Sequence, residues 1–199
     1  MCSNAGASAD TFRERKTFET LGATMTKHRE VLQSIIDELV RMDPRCSISV
    51  LGSLARGEER EDSDIDIYVF LSREPDHFGD LIYEENRECM LHRTKREGIE
   101  VDVGWRLLSS LETEVPQEAT IVPYYFLVGK VARDPSGALT RWLHLIQQWI
   151  DQHAWVAKRW DRQLEEVRRH KSDPSYRLQY SEKEFYAHIR KLVAERERK

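Results

Sequence analysis

Residues 51–70 read LGSLARGEEREDSDIDIYVF. A short apolar segment, Ser47 to Leu51, runs into Gly52-Ser53, and a polar, acidic turn follows. Asp64-Ile65-Asp66 then opens a second strand-like run that ends at Leu71. Strand side chains alternate faces, so Asp64 and Asp66 share one face while Ile65, Ile67, Val69 and Leu71 point into a core. Two carboxylates side by side repel each other unless a cation sits between them, so the pair predicts a magnesium site. Gly52 lets the backbone turn tightly and come close to a ligand. Ser53 can hydrogen-bond a phosphate oxygen, and a short helix starting near Leu54 would aim free N–H groups at the same anion.

Outward from this stretch, Val31, Leu32, Ile35, Ile36, Leu39 and Val40 recur at helical spacing and predict a helix that Asp43-Pro44 ends. Cys46 to Leu51 reads as the first strand. Beyond Leu71 a polar segment leads to Asp80–Lys95, read as a crossover helix on Leu81, Ile82, Cys89, Met90 and Leu91, with Gly98 ending it. Ile99 to Val103 is the third strand, its core face Ile99, Val101 and Val103 and its opposite face Glu100 and Asp102. Residues 121–128 fit strand or short helix equally. Asp134-Pro135-Ser136-Gly137 is a turn. Leu139 to His170 reads as one long helix of about 45 Å, carrying Trp142, Trp149, Trp155 and Trp160. Ser172–Ser175 breaks it, and Ser181 with Glu184 makes a capping box for a last helix from Glu182.

The compound pattern G-S-x-A-R-G-E, formed by Gly52, Ser53, Ala55, Arg56, Gly57 and Glu58, ends in S-D-I-D at Ser63 to Asp66. It resembles the nucleotidyltransferase superfamily that includes DNA polymerase beta, in particular its small prokaryotic branch. The resemblance covers Ser47 to about Asp102, under a third of the chain. It implies an α/β (α+β) fold: a small mixed sheet of the polymerase-beta nucleotidyltransferase type with flanking helices and a helical C-terminal region. The implied division is a poorly ordered segment 1–22, a catalytic domain 23–135 and a helical region 136–199.

The resemblance further implies that ATP or another nucleoside triphosphate lies against Gly52, Ser53 and Ser63. Two magnesium ions would be held by Asp64, Asp66 and a third carboxylate, Asp102, with Glu100 as substitute. Arg56 has two readings, an ion pair with the acidic turn Glu58–Asp62 or a phosphate contact. Members of the branch adenylylate aminoglycoside or lincosamide antibiotics, and small antitoxin enzymes modify a protein. The expected acceptor is therefore a hydroxyl of a small molecule, as in antibiotic resistance. The alternatives are a protein acceptor or an inactive nucleotide-binding scaffold.

The chain of 199 residues has 40% hydrophobic and 33% charged residues and a net charge of -4, unevenly placed. Residues 138–199 carry 14 Lys/Arg against 9 Asp/Glu, and residues 1–137 carry 17 against 26. An acidic catalytic half argues against long nucleic acid, which wants a basic track, and suits a cationic small molecule or a protein. Cys2, Cys46 and Cys89 have no metal-binding spacing, and no run reaches membrane-spanning length, so a cytoplasmic protein is expected. The Trp stripe predicts packing against another helix or against a second subunit, the latter making a homodimer through the Trp-rich helix.

Overall fold

In the computed structural model, β2 (Ile65–Leu71) lies inside a six-stranded sheet. β1 (Ser47–Val50) runs antiparallel to it, placing Ser47 opposite Phe70 and Val50 opposite Ile67. β5 (Ile99–Leu107) runs parallel on its other side, from Ile65 opposite Val101 to Leu71 opposite Leu107. With β3 (Leu81–Glu84), β4 (Cys89–Arg96) and β6 (Lys130–Arg133), the order is β3-β4-β5-β2-β1-β6. The structure describes residues 27–76, 81–84, 89–113 and 126–197. The expected loose segment 1–22 and most of the 121–128 run lie outside them.

The alternation in β2 decides how the layers stack. Ile65, Ile67, Val69 and Leu71 are all buried, with Val101 and Val103, against α1 (Lys27–Met42) and its Val31, Leu32, Ile35 and Leu39. The opposite face starts with Asp64 and Asp66 and continues with Tyr68 and Phe70, also buried. These rings meet Phe126, Leu111 of α3 (Ser110–Thr113) and the helices α4 (Ala138–Gln152), α5 (Ala154–Ser172) and α6 (Glu182–Glu197), through Trp142, Ile146, Trp160 and Phe185 among others. The carboxylate face of the sheet is thus roofed by the C-terminal helices, which share one core with Tyr68 and Phe70.

Two expectations are corrected. The stretch read as a helix over Asp80–Lys95 is strands β3 and β4, paired antiparallel. β4 also pairs with β5 from Met90 opposite Trp105 to Arg96 opposite Ile99. The two residues between them, Glu97 and Gly98, both have positive φ (51° and 88°), the signature of a tight hairpin turn. Gly98 therefore reverses a hairpin rather than ending a helix. The polar residues of 84–97 are good helix formers, but seven cross-strand pairs outweigh that weak preference. The long helix is also interrupted, at His153 (φ −121°, ψ 46°), whose ring stacks on Trp149 and whose Nδ1 lies 2.8 Å from the Trp149 carbonyl. The bend lets Val156 and Trp160 join the same core as Trp142 and Trp149. Trp142, Trp149 and Trp160 are buried within this chain, so the stripe's packing is intramolecular, while Trp155 lies under the Arg196 guanidinium.

Asp43, at the end of α1, ties that helix to the end of β2. One carboxylate oxygen accepts from the Ser72 N–H (2.5 Å), the other from the Ser72 hydroxyl (2.9 Å) and the Arg45 N–H (3.0 Å). Burial alone would raise this carboxyl. The Ser72 and Arg45 N–H groups, the Ser72 hydroxyl and the Arg45 charge outweigh it and hold the group below its ordinary value. A depressed carboxyl stabilises the fold at pH above its unfolded value, and that stability is lost as pH falls through the folded value. Asp43→Asn is expected to cost about 1–3 kcal/mol at pH 7. Thermal melts should show the gap to wild type closing as pH drops below about 4.

Candidate active site

β1 delivers the chain to Leu51, whose N–H donates to the Asp66 carbonyl (2.9 Å), locking the Gly52-Ser53 turn to the first residues of β2. Gly52 has φ +64°, and a Cβ added there would run into Oδ2 of Asp66. The Asp66 carboxylate therefore lies directly against the Gly52 backbone. α2 (Gly52–Arg56) follows, closed by Gly57 in the left-handed region. Ser53 is 8% exposed, and its Oγ has no hydrogen-bond partner among the described residues. A buried hydroxyl left without a partner is costly and invites one.

In parallel register Asp66 stands opposite Asp102, so the two carboxylates sit side by side on the same face. Asp64 lies before β2 on that face and is exposed, as is Glu100 before Asp102 on β5. Asp64 and Glu100, with Ser53, line a cavity of about 1070 Å³ whose opposite wall is the C-terminal half of α5 and the turn after it. Asp66 and Asp102 follow one pleat along β2 and β5 toward the buried Tyr68 and do not themselves line this cavity. Arg56, Arg60, Arg162, Arg168, Arg169 and Lys171 give the cavity lining a set of cations, interleaved with Glu58, Asp62, Glu165 and Glu166.

The roof is pinned by charge. Glu58 accepts from Arg168 of α5 (2.6 Å) and from Arg56 Nε (2.9 Å), and Arg60 reaches the Lys171 carbonyl (3.4 Å). The Arg168 hydrogen bond, opposed by partial burial and reinforced by Arg56, holds the Glu58 carboxyl below its ordinary range. Arg56 thus makes the ion pair with the acidic turn while also lining the cavity. Ser63 lines it too, but its hydroxyl accepts from the Arg60 N–H (2.9 Å) and its carbonyl meets His28 Nε2 (3.0 Å), so it shapes the turn.

Carboxylate oxygens are the donors magnesium prefers, and the register sets two such groups, Asp66 and Asp102, side by side. Among the described residues, no three His, Cys, Asp or Glu are gathered as ligands. The Asp102 carboxylate is turned to Arg93 of β4, whose Nε donates to Oδ1 (2.9 Å) and Oδ2 (3.2 Å) and whose Nη2 donates to Oδ2 (3.2 Å). Sequence reasoning passed over Arg93 because its stretch was read as helix. Arg162, Arg168, Arg169 and Lys171 lie off the apolar stripe of α5 and form part of the cavity wall.

The nucleotidyltransferase domain family matches residues 32–122, from within α1 to past β5, with β6 outside the match. A protein of Methanocaldococcus jannaschii, named "Putative protein adenylyltransferase MJ1215", is 36% identical over 69 residues, which are 35% of this chain and 80% of that protein. The chain belongs to the nucleotidyltransferase family. Its fold and motif are those of the polymerase beta-like superfamily, and it is a nucleotidyltransferase enzyme. A solved structure of a cytoplasmic RNA terminal U-transferase aligns with this nucleotidyltransferase over 48% of the chain and 36% of its own length. Identity there is 14% and the TM-score 0.32. The family match ends at residue 122, so α4, α5 and α6 lie outside it. Among the described residues no helix is long and apolar enough to cross a membrane.

Proposed function

We propose that this nucleotidyltransferase moves a nucleoside monophosphate, AMP from ATP, onto a hydroxyl of a small molecule and releases pyrophosphate. The observation that carries the reading is the Asp66–Asp102 pair beside Gly52-Ser53 at the edge of the roofed cavity. The unpartnered Ser53 hydroxyl would take a phosphate oxygen, and the arginines and Lys171 of the cavity would balance the triphosphate charge. Asp64, Asp66 and Asp102 would hold magnesium, which when bound neutralises charge on the phosphates and acidifies the acceptor hydroxyl. The acceptor oxygen bonds to the alpha phosphorus, the bond to the bridging oxygen breaks, and Asp102 receives the hydroxyl proton.

A small acceptor is favoured because α5 closes over the carboxylate face and leaves a bounded cavity. The acidic residues 1–137 suit a cationic compound such as an aminoglycoside, and a lincosamide-like compound is the neighbouring choice. A protein acceptor is the second reading, favoured by the name of the archaeal relative. Transfer from each of the four alpha-labelled triphosphates, with magnesium, to a panel of aminoglycosides, lincosamides and cell extract separates the two. The expected result is a labelled small product from ATP. A labelled protein band instead would establish the second reading. Failure to bind any triphosphate in magnesium would overturn the enzymatic assignment.

A further inference from the structure

Arg93 and Asp102 face each other across the antiparallel β4–β5 pair, and the guanidinium engages both oxygens of the carboxylate. Their exposures differ. The Asp102 side chain is 13% exposed and that of Arg93 54%, so the carboxylate sits in the sheet and the guanidinium lies across it from the solvent side. On the neighbouring strand, about 4.8 Å away, stands Asp66. Two carboxylates at that spacing repel, and Arg93 supplies a countercharge.

We infer that Arg93 is a positioning residue for Asp102, holding its carboxylate beside Asp66 and giving way to the divalent cation that the pair binds. This rests on the proposed reading of Asp66 and Asp102 as metal-holding carboxylates. The oxygens Arg93 engages are the ones a cation needs, so guanidinium and cation compete for them. An exposed guanidinium moves into water at small cost, so the competition is mild: it sets the concentration at which the site loads without blocking it. Arg93 thereby keeps the carboxylate pair in register through each cycle of cation binding and release.

The test is magnesium titration by calorimetry, with thermal melts, on the full chain without nucleotide. Arg93→Gln should tighten magnesium binding about three- to fivefold, because the competing ion pair is gone. Without magnesium its melting temperature should fall below wild type, and magnesium should raise it by more than it raises wild type. Lys95→Gln removes the same unit charge from the same strand, opposite Glu100, and should leave magnesium affinity unchanged. Arg93→Lys, which keeps the charge without the fork, should lie between wild type and Arg93→Gln. Equal or weaker magnesium binding in Arg93→Gln would overturn the role of Arg93 while leaving the metal site standing, and so would an equal shift in Lys95→Gln. Heat retained in Asp66→Asn, or no magnesium heat in wild type, would overturn the metal site itself and this inference with it.

Discussion

Asp66→Asn is expected to lower nucleotidyl transfer by about a thousandfold or more while leaving the fold intact. The side chain sits at the one point where the Gly52 backbone, β2 and the Asp102 carboxylate meet. The Asp66 carbonyl accepts from the Leu51 N–H, and the substitution leaves that bond alone. Asn keeps the shape but removes the negative charge a cation or a developing positive partner would use. It also relieves the repulsion with Asp102, so the melting temperature should hold or rise slightly, the opposite of a folding defect. Asp102→Asn should be nearly as damaging to turnover and, by releasing Arg93 from its partner, less kind to stability. Asp64, exposed at the cavity mouth, should show the mildest loss of the three. Steady-state transfer of labelled nucleotide, read beside thermal melts, checks the order. Undiminished turnover in Asp66→Asn would remove this residue from the chemistry.

The carboxylate face is legible in the sequence because period-two alternation over Asp64–Leu71 needs no tertiary information. The same holds for α1, whose apolar stripe and Asp43-Pro44 stop fix its position, and for the Ser181–Glu184 box, where Glu184 bonds both the Ser181 N–H and hydroxyl. What escaped is set by long-range pairing. β4 carries charged residues at its solvent-facing positions, and its strand state follows from β5 alongside it rather than from its own composition. The loss was functional as well as structural, since Arg93 reaches Asp102 only when residues 89–96 are a strand. The break at His153 has no Pro or Gly to announce it. It follows from the demand that Trp160 and Trp142 share a core with Phe70. The cavity wall on α5 depends on that bend in turn, because it brings Arg168 within 2.6 Å of Glu58.

Gly52→Ala should combine a stability loss with a catalytic one, and comparison with Gly57→Ala separates them. Both glycines have positive φ, +64° and +72°, so an alanine at either strains the backbone by about 1–2 kcal/mol. Around Gly57 there is nothing within 4 Å of an added Cβ, and that strain is the whole effect. At Gly52 the methyl group would occupy the space of the Asp66 carboxylate, so either the turn or the carboxylate has to move. A displacement of about an ångström at a reacting centre costs about a hundredfold in rate. Gly52→Ala is therefore expected to lose about two orders of magnitude in turnover on top of the backbone strain, while Gly57→Ala stays within a few-fold of wild type. Denaturant unfolding and transfer rates measured on both variants read the two effects separately. Equal turnover in the pair would mean that the close approach of Gly52 to Asp66 serves the fold alone. A selective loss in Gly52→Ala would show that the glycine is required because the carboxylate, and not merely the turn, has to fit beneath it.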